Sequence, residues 1–155
     1  PYFLELKGQV LLESGRPHEA LDPLRRATAM TNAEPLIASL FGHALIATED
    51  DGNFEEAERV LRAAVGRDRR NPFAWYQLGV VYAARGDTAR ARLASAEQQV
   101  MNRQYGLALR SAQAAEYGLE HGTPDWIRAQ DIGMQARALL ERQCEMERGR
   151  DCAPG

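Results

Sequence analysis

The stretch that decides the fold is WYQLGVVYAARGDTARA, at residues 75–91. Its large apolar residues Trp75, Leu78 and Tyr82 recur at intervals of three and four residues, which is the spacing of one face of an α-helix. In the pair Gly86-Asp87, the glycine can adopt the left-handed backbone that ends a helix, and the aspartate can cap the next helix. The stretch therefore predicts two helices joined by a tight turn.

The same pattern recurs along the chain. Gly79 marks a position where a neighbouring helix can approach closely; Gly42 lies 37 residues before it, and Gly8 lies 34 residues before Gly42. The three extra residues fall around Glu49–Asp51, between the two helices of that repeat. The W-x2-L-G-x2-Y…A motif and a 34-residue period are typical of tetratricopeptide (TPR) repeats. The small residues of the second helices keep the same register and are Ala20, Ala27, Ala57, Ala64 and Ala91.

These repeats predict an all-α fold, a TPR superhelix of about three and a half helix–turn–helix repeats with a C-terminal capping helix. The capping helix begins at Thr123-Pro124, a good helix start. The predicted TPR domain spans residues 1–148, with repeats at about 1–34, 35–71 and 72–102, a degenerate repeat at 88–118, the C-terminal helix at 124–148 and a flexible tail at 149–155.

Composition narrows the possible partners. The chain has 155 residues, of which 45% are hydrophobic, so a folded core is expected. Its net charge of −3 argues against nucleic acid or an anionic membrane as a partner. The longest nearly apolar run, Leu36 to Ala47, is about half of the ~20 residues that a membrane span requires.

The sequence also lacks the usual catalytic motifs. It contains no HExxH, no glycine-rich phosphate loop and no CxxC pair. The histidines His18, His43 and His121 lie on three different predicted elements, so a shared metal is not expected. The chain is therefore predicted to be non-enzymatic, with no catalytic residue, metal ligand or cofactor of its own.

The candidate binding residues follow from the repeat register. First-helix positions 2, 5, 9 and 12 of a TPR repeat face the concave groove, and these positions lack the lysines, arginines and asparagines that clamp a peptide carboxylate. The groove therefore favours a protein or peptide client with apolar and basic side chains; the alternative is that another part of the same protein fills it. The predicted groove residues are Tyr2, Glu5, Gln9, Leu12, Leu36, Ser39, His43, Ile46, Phe73, Tyr76, Val80 and Ala83.

The arginines of the second helices are interpreted differently, as a solvated convex face, because most have acidic neighbours in the sequence. They are Arg25, Arg26, Arg59, Arg62, Arg90 and Arg92.

Three stretches carry a closer resemblance: ELKGQVLLESGRPHEALDPLRRA at Glu5–Ala27, LASAEQQ at Leu93–Gln99 and PDWIRAQDI at Pro124–Ile132. Together they resemble the C-terminal TPR domain of bacterial periplasmic zinc metallopeptidases, relatives of the CAAX-prenyl-type proteases and of the protease that polices outer-membrane protein assembly. Lys7, where the repeat pattern expects leucine, and the merged third and fourth repeats depart from a regular array.

The resemblance implies a function in a larger protein. It implies a metallopeptidase domain in cis that carries zinc, a client protein or the outer-membrane assembly machinery in trans, and a periplasmic location. The chain itself would recruit or position substrates. Two alternatives stay open: a stand-alone TPR adaptor or lipoprotein with no protease attached, and an enzyme in its own right.

The two cysteines, Cys144 and Cys152, bear on the compartment. In an unbroken helix, residues eight apart are separated by about 12 Å, which is too far for a disulfide. Gly149 can end the helix and allow the tail to fold back. In the periplasm that the resemblance implies, a bridge is therefore possible; the alternative is two unpaired thiols.

Overall fold

The computed structural model describes residues 1–148, and within them the chain is helical with no β-strand. The all-α TPR-type fold predicted from the repeats is confirmed. The predicted tail and Cys152, and with it the hypothesis of a bridge to Cys144, lie outside the described residues. The helices are α1 (Tyr2–Glu13), α2 (Pro17–Met30), α3 (Pro35–Ala47), α4 (Phe54–Arg67), α5 (Pro72–Ala84), α6 (Thr88–Met101), α7 (Tyr105–Gly118) and α8 (Pro124–Arg148).

The chain forms two compact units, Pro1–Arg85 and Gly86–Gly155. The boundary falls inside the stretch that predicted the fold, at the turn between α5 and α6. Gly86 has the left-handed conformation expected of it, with φ +83°. Asp87 caps α6, because its Oδ1 accepts a hydrogen bond from the backbone N–H of Arg90 at 3.1 Å. The predicted turn is thus confirmed.

In the first unit, successive helices pack side by side, and α3 also contacts α1 and α5. The glycines of α1 and α3 set the distance to the second helices. A Cβ added to Gly8 would lie 2.4 Å from Cγ of Leu24, and one added to Gly42 would lie 2.5 Å from Cγ of Leu61. The alanines predicted to line this contact, Ala20, Ala27, Ala57 and Ala64, are fully buried.

The polar insert between α3 and α4 forms a tight turn. Glu49 adopts a left-handed backbone with φ +56°. Asp50 then caps a short 3-10 helix, Asp51–Asn53, by accepting a hydrogen bond from Gly52 N at 2.9 Å. Asn53 donates to Thr48 Oγ1 at 2.9 Å, which ties the turn back to the end of α3.

Pro23 lies in the interior of α2 and is buried. Proline has no N–H to donate, so α2 lacks one backbone hydrogen bond at this point. The helix nevertheless continues past Pro23, because α2 is packed into the core through Leu24 and Ala27, which are both fully buried.

The second unit packs α6, α7 and α8 against one another. Its core is made mostly of small residues, which allow close helix contacts, and α8 covers the other two helices as the predicted capping helix. The buried cluster consists of Leu93, Ala96, Ala112, Ala115, Ala129 and Ile132.

A buried ion pair connects the first and last helices of the second unit. The Glu97 side chain on α6 is only 3% exposed, and Arg128 on α8 holds it with two hydrogen bonds of 2.5 and 3.1 Å. The bond to Glu97 raises the pKa of the Arg128 guanidinium. A bidentate arginine–carboxylate pair fixes orientation as well as distance, so it sets how α8 lies on α6.

Candidate functional site

The predicted groove residues occupy fixed positions relative to the repeat glycine of α1, α3 and α5, which we call the first helices. In each of these helices, two groove residues come before the glycine, by six and by three residues, and two come after it, by one and by four residues. We number these positions as rows. Row 1 is Tyr2, Leu36 and Phe73; row 2 is Glu5, Ser39 and Tyr76; row 3 is Gln9, His43 and Val80; row 4 is Leu12, Ile46 and Ala83.

Row 1 is apolar and exposed in all three first helices. Tyr2 is 76% exposed, Leu36 66% and Phe73 43%. Because α3 contacts both α1 and α5, these side chains lie on neighbouring helices at the same register position, and we call them the apolar strip. Exposed apolar residues that cluster on one surface mark binding sites more often than scattered ones do.

The central member of row 2 is missing from the surface. Ser39 is 1% exposed, so the structure places it in the interior and not on the surface. Its hydroxyl donates to the carbonyl of Pro35 at 2.6 Å and accepts from Asn71 Nδ2 at 3.1 Å. The two flanking members remain accessible, since Tyr76 is 54% exposed and Glu5 is half-buried.

Rows 3 and 4 are more enclosed than row 1. The His43 ring meets the Phe73 ring edge-on, with 5.6 Å between the ring centroids. Its Nδ1 is buried and has no hydrogen-bond partner among residues 1–148. His43 is therefore held beside the apolar strip. Of the other members, Leu12, Ile46 and Val80 are half-buried, and Gln9 and Ala83 are exposed.

The charge on this surface comes from α1. The ionisable side chains of the first helices, apart from tyrosines, are Glu5, Lys7, Glu13 and His43. Within the described part of the chain, the Glu5 carboxylate makes no ion pair or side-chain hydrogen bond, whereas Glu13 accepts from Gln9 at 2.9 Å. Lys7 is outside the four rows. The α1 edge of the surface is therefore acidic and available to a cationic group.

Asn71, just before α5, has a role that the repeat register does not predict. Asn71 caps α5, accepting from Ala74 N at 3.1 Å, and is itself only 6% exposed. Its amide also reaches Ser39 on α3, so one side chain joins the starts of two helices. An asparagine directly before a proline that opens a helix is a recognisable cap signal, but the contact to α3 has no signal in the sequence.

The second helices carry a different surface. Arg25 on α2 makes two hydrogen bonds to Glu56 on α4, at 3.1 and 3.0 Å, and lies over the ring of Phe41 at 5.3 Å. The bond to Glu56 raises the pKa of Arg25. The pair borders a shallow depression of about 580 Å³ between α2 and α4. Arg25 thus has a structural contact that its interpretation as a purely solvated side chain missed.

Within residues 1–148, metal-binding clusters and membrane-spanning helices are both absent. No group of three or more histidine, cysteine, aspartate or glutamate side chains there is arranged to hold a metal ion. None of the helices within residues 1–148 combines the length and the apolar character that crossing a bilayer demands.

Comparisons with known proteins agree with the fold. Residues 72–92 match the family model of a tetratricopeptide repeat. The crystal structure of MamA is similar to this chain, with a TM-score of 0.60 and 18% sequence identity, over 92% of this chain and 79% of that one. At this identity the likeness bears on the fold alone. A comparison with curated proteins finds no match.

The repeat match at residues 72–92 and the helical architecture together show a TPR-like fold. TPR domains are a class of helical repeat that bind other proteins, since stacked repeats create extended binding surfaces. The fold does not specify the partner.

Proposed function

We propose that this chain is a protein-recognition module whose first-helix surface, rows 1 to 4, binds a client protein. The observation that carries the proposal is row 1: three large apolar side chains stay exposed at the same position of three successive repeats. Covering such a strip removes apolar area from water, which is favourable by roughly 25 cal/mol per Å².

The finer part of the proposal concerns the parent protein. The resemblance of Glu5–Ala27 and Pro124–Ile132 supports a periplasmic zinc metallopeptidase, in which this domain lies in cis with a catalytic domain that carries the zinc. The client is then a substrate or a component of the outer-membrane assembly machinery. The alternative is a TPR adaptor or lipoprotein without a protease.

The native reading frame separates these two alternatives. A catalytic domain with HExxH encoded upstream of Pro1 supports the metallopeptidase, and a reading frame without one supports the adaptor. In the first case, the full-length enzyme should cleave its client more slowly when the surface is altered, while cleavage of a short generic peptide stays unchanged.

The surface is tested by the triple change Glu5→Gln, His43→Ala and Tyr76→Ser. We expect client binding to weaken at unchanged helicity. The matched control is Tyr117→Ser on α7, because Tyr117 is 95% exposed and lies outside the four rows. Equal binding by the triple variant and the wild type would refute the surface, and so would a loss that follows the control.

A further inference from the structure

One face of α1 is mostly apolar and exposed to solvent. Its residues follow the i, i+3, i+4, i+7 spacing of a single helix face, and we call Phe3, Leu6, Lys7 and Val10 the outer face of α1. Phe3 is 73% exposed, Leu6 47% and Val10 52%, and Lys7 is exposed as well. None of the four belongs to rows 1 to 4, so the outer face is separate from the proposed client-binding surface.

The equivalent positions of the other two first helices are covered. Counted from the repeat glycine, they are Ile37, Leu40, Phe41 and Ala44 in α3, and Ala74, Gln77, Leu78 and Val81 in α5. Leu40 is half-buried, and each of the other seven is at most 7% exposed. Since equivalent repeat positions face the same way, α1 exposes a face that α3 and α5 bury.

The order of the helices accounts for this difference. Within the unit Pro1–Arg85, α3 packs against α2, the second helix before it, and α5 packs against α4 in the same way. The helices that pack against α1 in this unit, α2 and α3, both follow it. What would cover the outer face is therefore a counterpart of α2 and α4, which are amphipathic helices with one buried apolar face and one charged face.

Lys7 adds a requirement for charge. Its position is occupied in α3 and α5 by Phe41 and Leu78, which are both buried. Within residues 1–148, the Lys7 ammonium makes no ion pair or hydrogen bond. A covered lysine can lay its methylene stem on apolar side chains, but its charged end needs an opposite charge. The covering helix is therefore expected to carry an aspartate or glutamate beside Lys7.

The connections between helices favour a covering helix from the same polypeptide. Residues 31–34 join α2 to α3, and residues 68–71 join α4 to α5, so each covered first helix directly follows the helix that covers it. A second copy of the chain fits less well. Two outer faces related by a two-fold axis meet centre to centre, which would bring their Lys7 ammonium groups together.

We propose that, in the full-length protein, an amphipathic helix encoded directly before α1 covers the outer face and pairs a carboxylate with Lys7. This inference goes beyond the proposed function, because it concerns a different face of α1 and applies to either parent protein.

Lys7 also supplies the probe, because it is the one lysine among the 155 residues. The purified full-length protein is treated with an N-hydroxysuccinimide ester of acetic acid, and mass spectrometry follows acetylation of the peptide that contains Lys7. We expect acetylation to be at least about tenfold slower in the native protein than in guanidinium chloride. Equal rates would mean that Lys7 is uncovered and would overturn the proposal.

Paired variants connect this protection to the outer face. Phe3→Ser should speed the acetylation of Lys7 in the native full-length protein, whereas Tyr2→Ser should not. The two residues are adjacent and similarly exposed, at 73% and 76%, but only Phe3 belongs to the outer face. Equal acetylation rates in the two variants would contradict the proposal.

A carbodiimide identifies the partner, because it joins a lysine directly to a carboxylate that it contacts. We expect a crosslink from Lys7 to an aspartate or glutamate that precedes Pro1 in the same molecule. In a mixture of isotope-labelled and unlabelled protein, a crosslink between the two forms would indicate a second copy and overturn the proposal. A protected Lys7 without a crosslink to a residue before Pro1 would overturn it too, as would a reading frame that encodes no helix before α1.

Discussion

Gly42 on α3 lies directly against Leu61 on α4, so that a Cβ on the glycine would be 2.5 Å from Cγ of the leucine. Gly8 and Leu24 repeat the relationship at 2.4 Å. Both leucines are fully buried. Both α1 and α3 thus meet the following second helix at a point where a side chain has no room.

The first prediction follows from this contact. Gly42→Ala should lower the free energy of unfolding by about 1–3 kcal/mol, because the methyl group overpacks a filled contact. The control is Gly66→Ala on α4, where an added Cβ meets no atom within 4 Å. Alanine favours a helix over glycine by up to ~1 kcal/mol, so this control should be neutral or stabilising. Chemical denaturation measures both; equal destabilisation would contradict the packing.

The second prediction concerns Asn71. Asn71→Ala should lower stability by about 2 kcal/mol, since it removes the cap of α5 and leaves Ser39 without its donor. Glu34→Ala is the matched control. The Glu34 side chain caps α3 by accepting hydrogen bonds from Leu36 N and Ile37 N, both at 3.1 Å. Within residues 1–148, the hydrogen bonds of this side chain do not reach another helix. The control should lose only about 1 kcal/mol. Thermal denaturation at one pH compares the two variants. A larger loss of stability for Glu34→Ala than for Asn71→Ala would contradict the role assigned to Asn71.

The third prediction contrasts two ion pairs. Arg128→Ala should destabilise by about 1.5–3 kcal/mol, because it removes the two charge-assisted hydrogen bonds that Arg128 donates to the buried Glu97 carboxylate. Arg16→Ala removes the partner of Glu19, but those two side chains are 58% and 53% exposed, and such surface pairs contribute little. The free energies of unfolding of the two variants should therefore differ clearly. Similar values would mean that the Glu97–Arg128 pair does not anchor α8.

The fourth prediction concerns metal. Because no residues between 1 and 148 form a cluster suited to a metal ion, the purified chain should retain well under one zinc per molecule after dialysis. Atomic emission spectroscopy provides the measurement. A tightly bound equivalent of zinc that survives dialysis would show that the chain contributes to a metal site.

Much of this fold can be predicted from the repeat period of the sequence. The interval between Gly8 and Gly42, together with the turn at Gly86, predicts the helices and their pairing, because a helix can approach closely only where side chains are absent. The same register predicts row 1, since equivalent repeat positions face the same way. That these residues bind a client stays a prediction.

The rest depended on contacts between residues far apart in the chain. Ser39 has a groove position by register, yet it is buried, and it accepts a hydrogen bond from Asn71, 32 residues away. Arg25 resembles a solvated residue until Glu56, 31 residues later, is placed beside it. Side-chain pairing across helices has no period, so the pattern could not predict either contact.

The central claim is that the first-helix surface is where the client binds, and site-specific photo-crosslinking tests it most directly. A photoreactive phenylalanine derivative is placed at Tyr76 in one protein and at Tyr117 in another, each in the full-length protein in its native cells. Both positions are exposed, at 54% and 95%. We predict a client adduct from position 76, lost on Leu36→Ser, and none from position 117. An adduct from position 117 with none from position 76 would contradict the account.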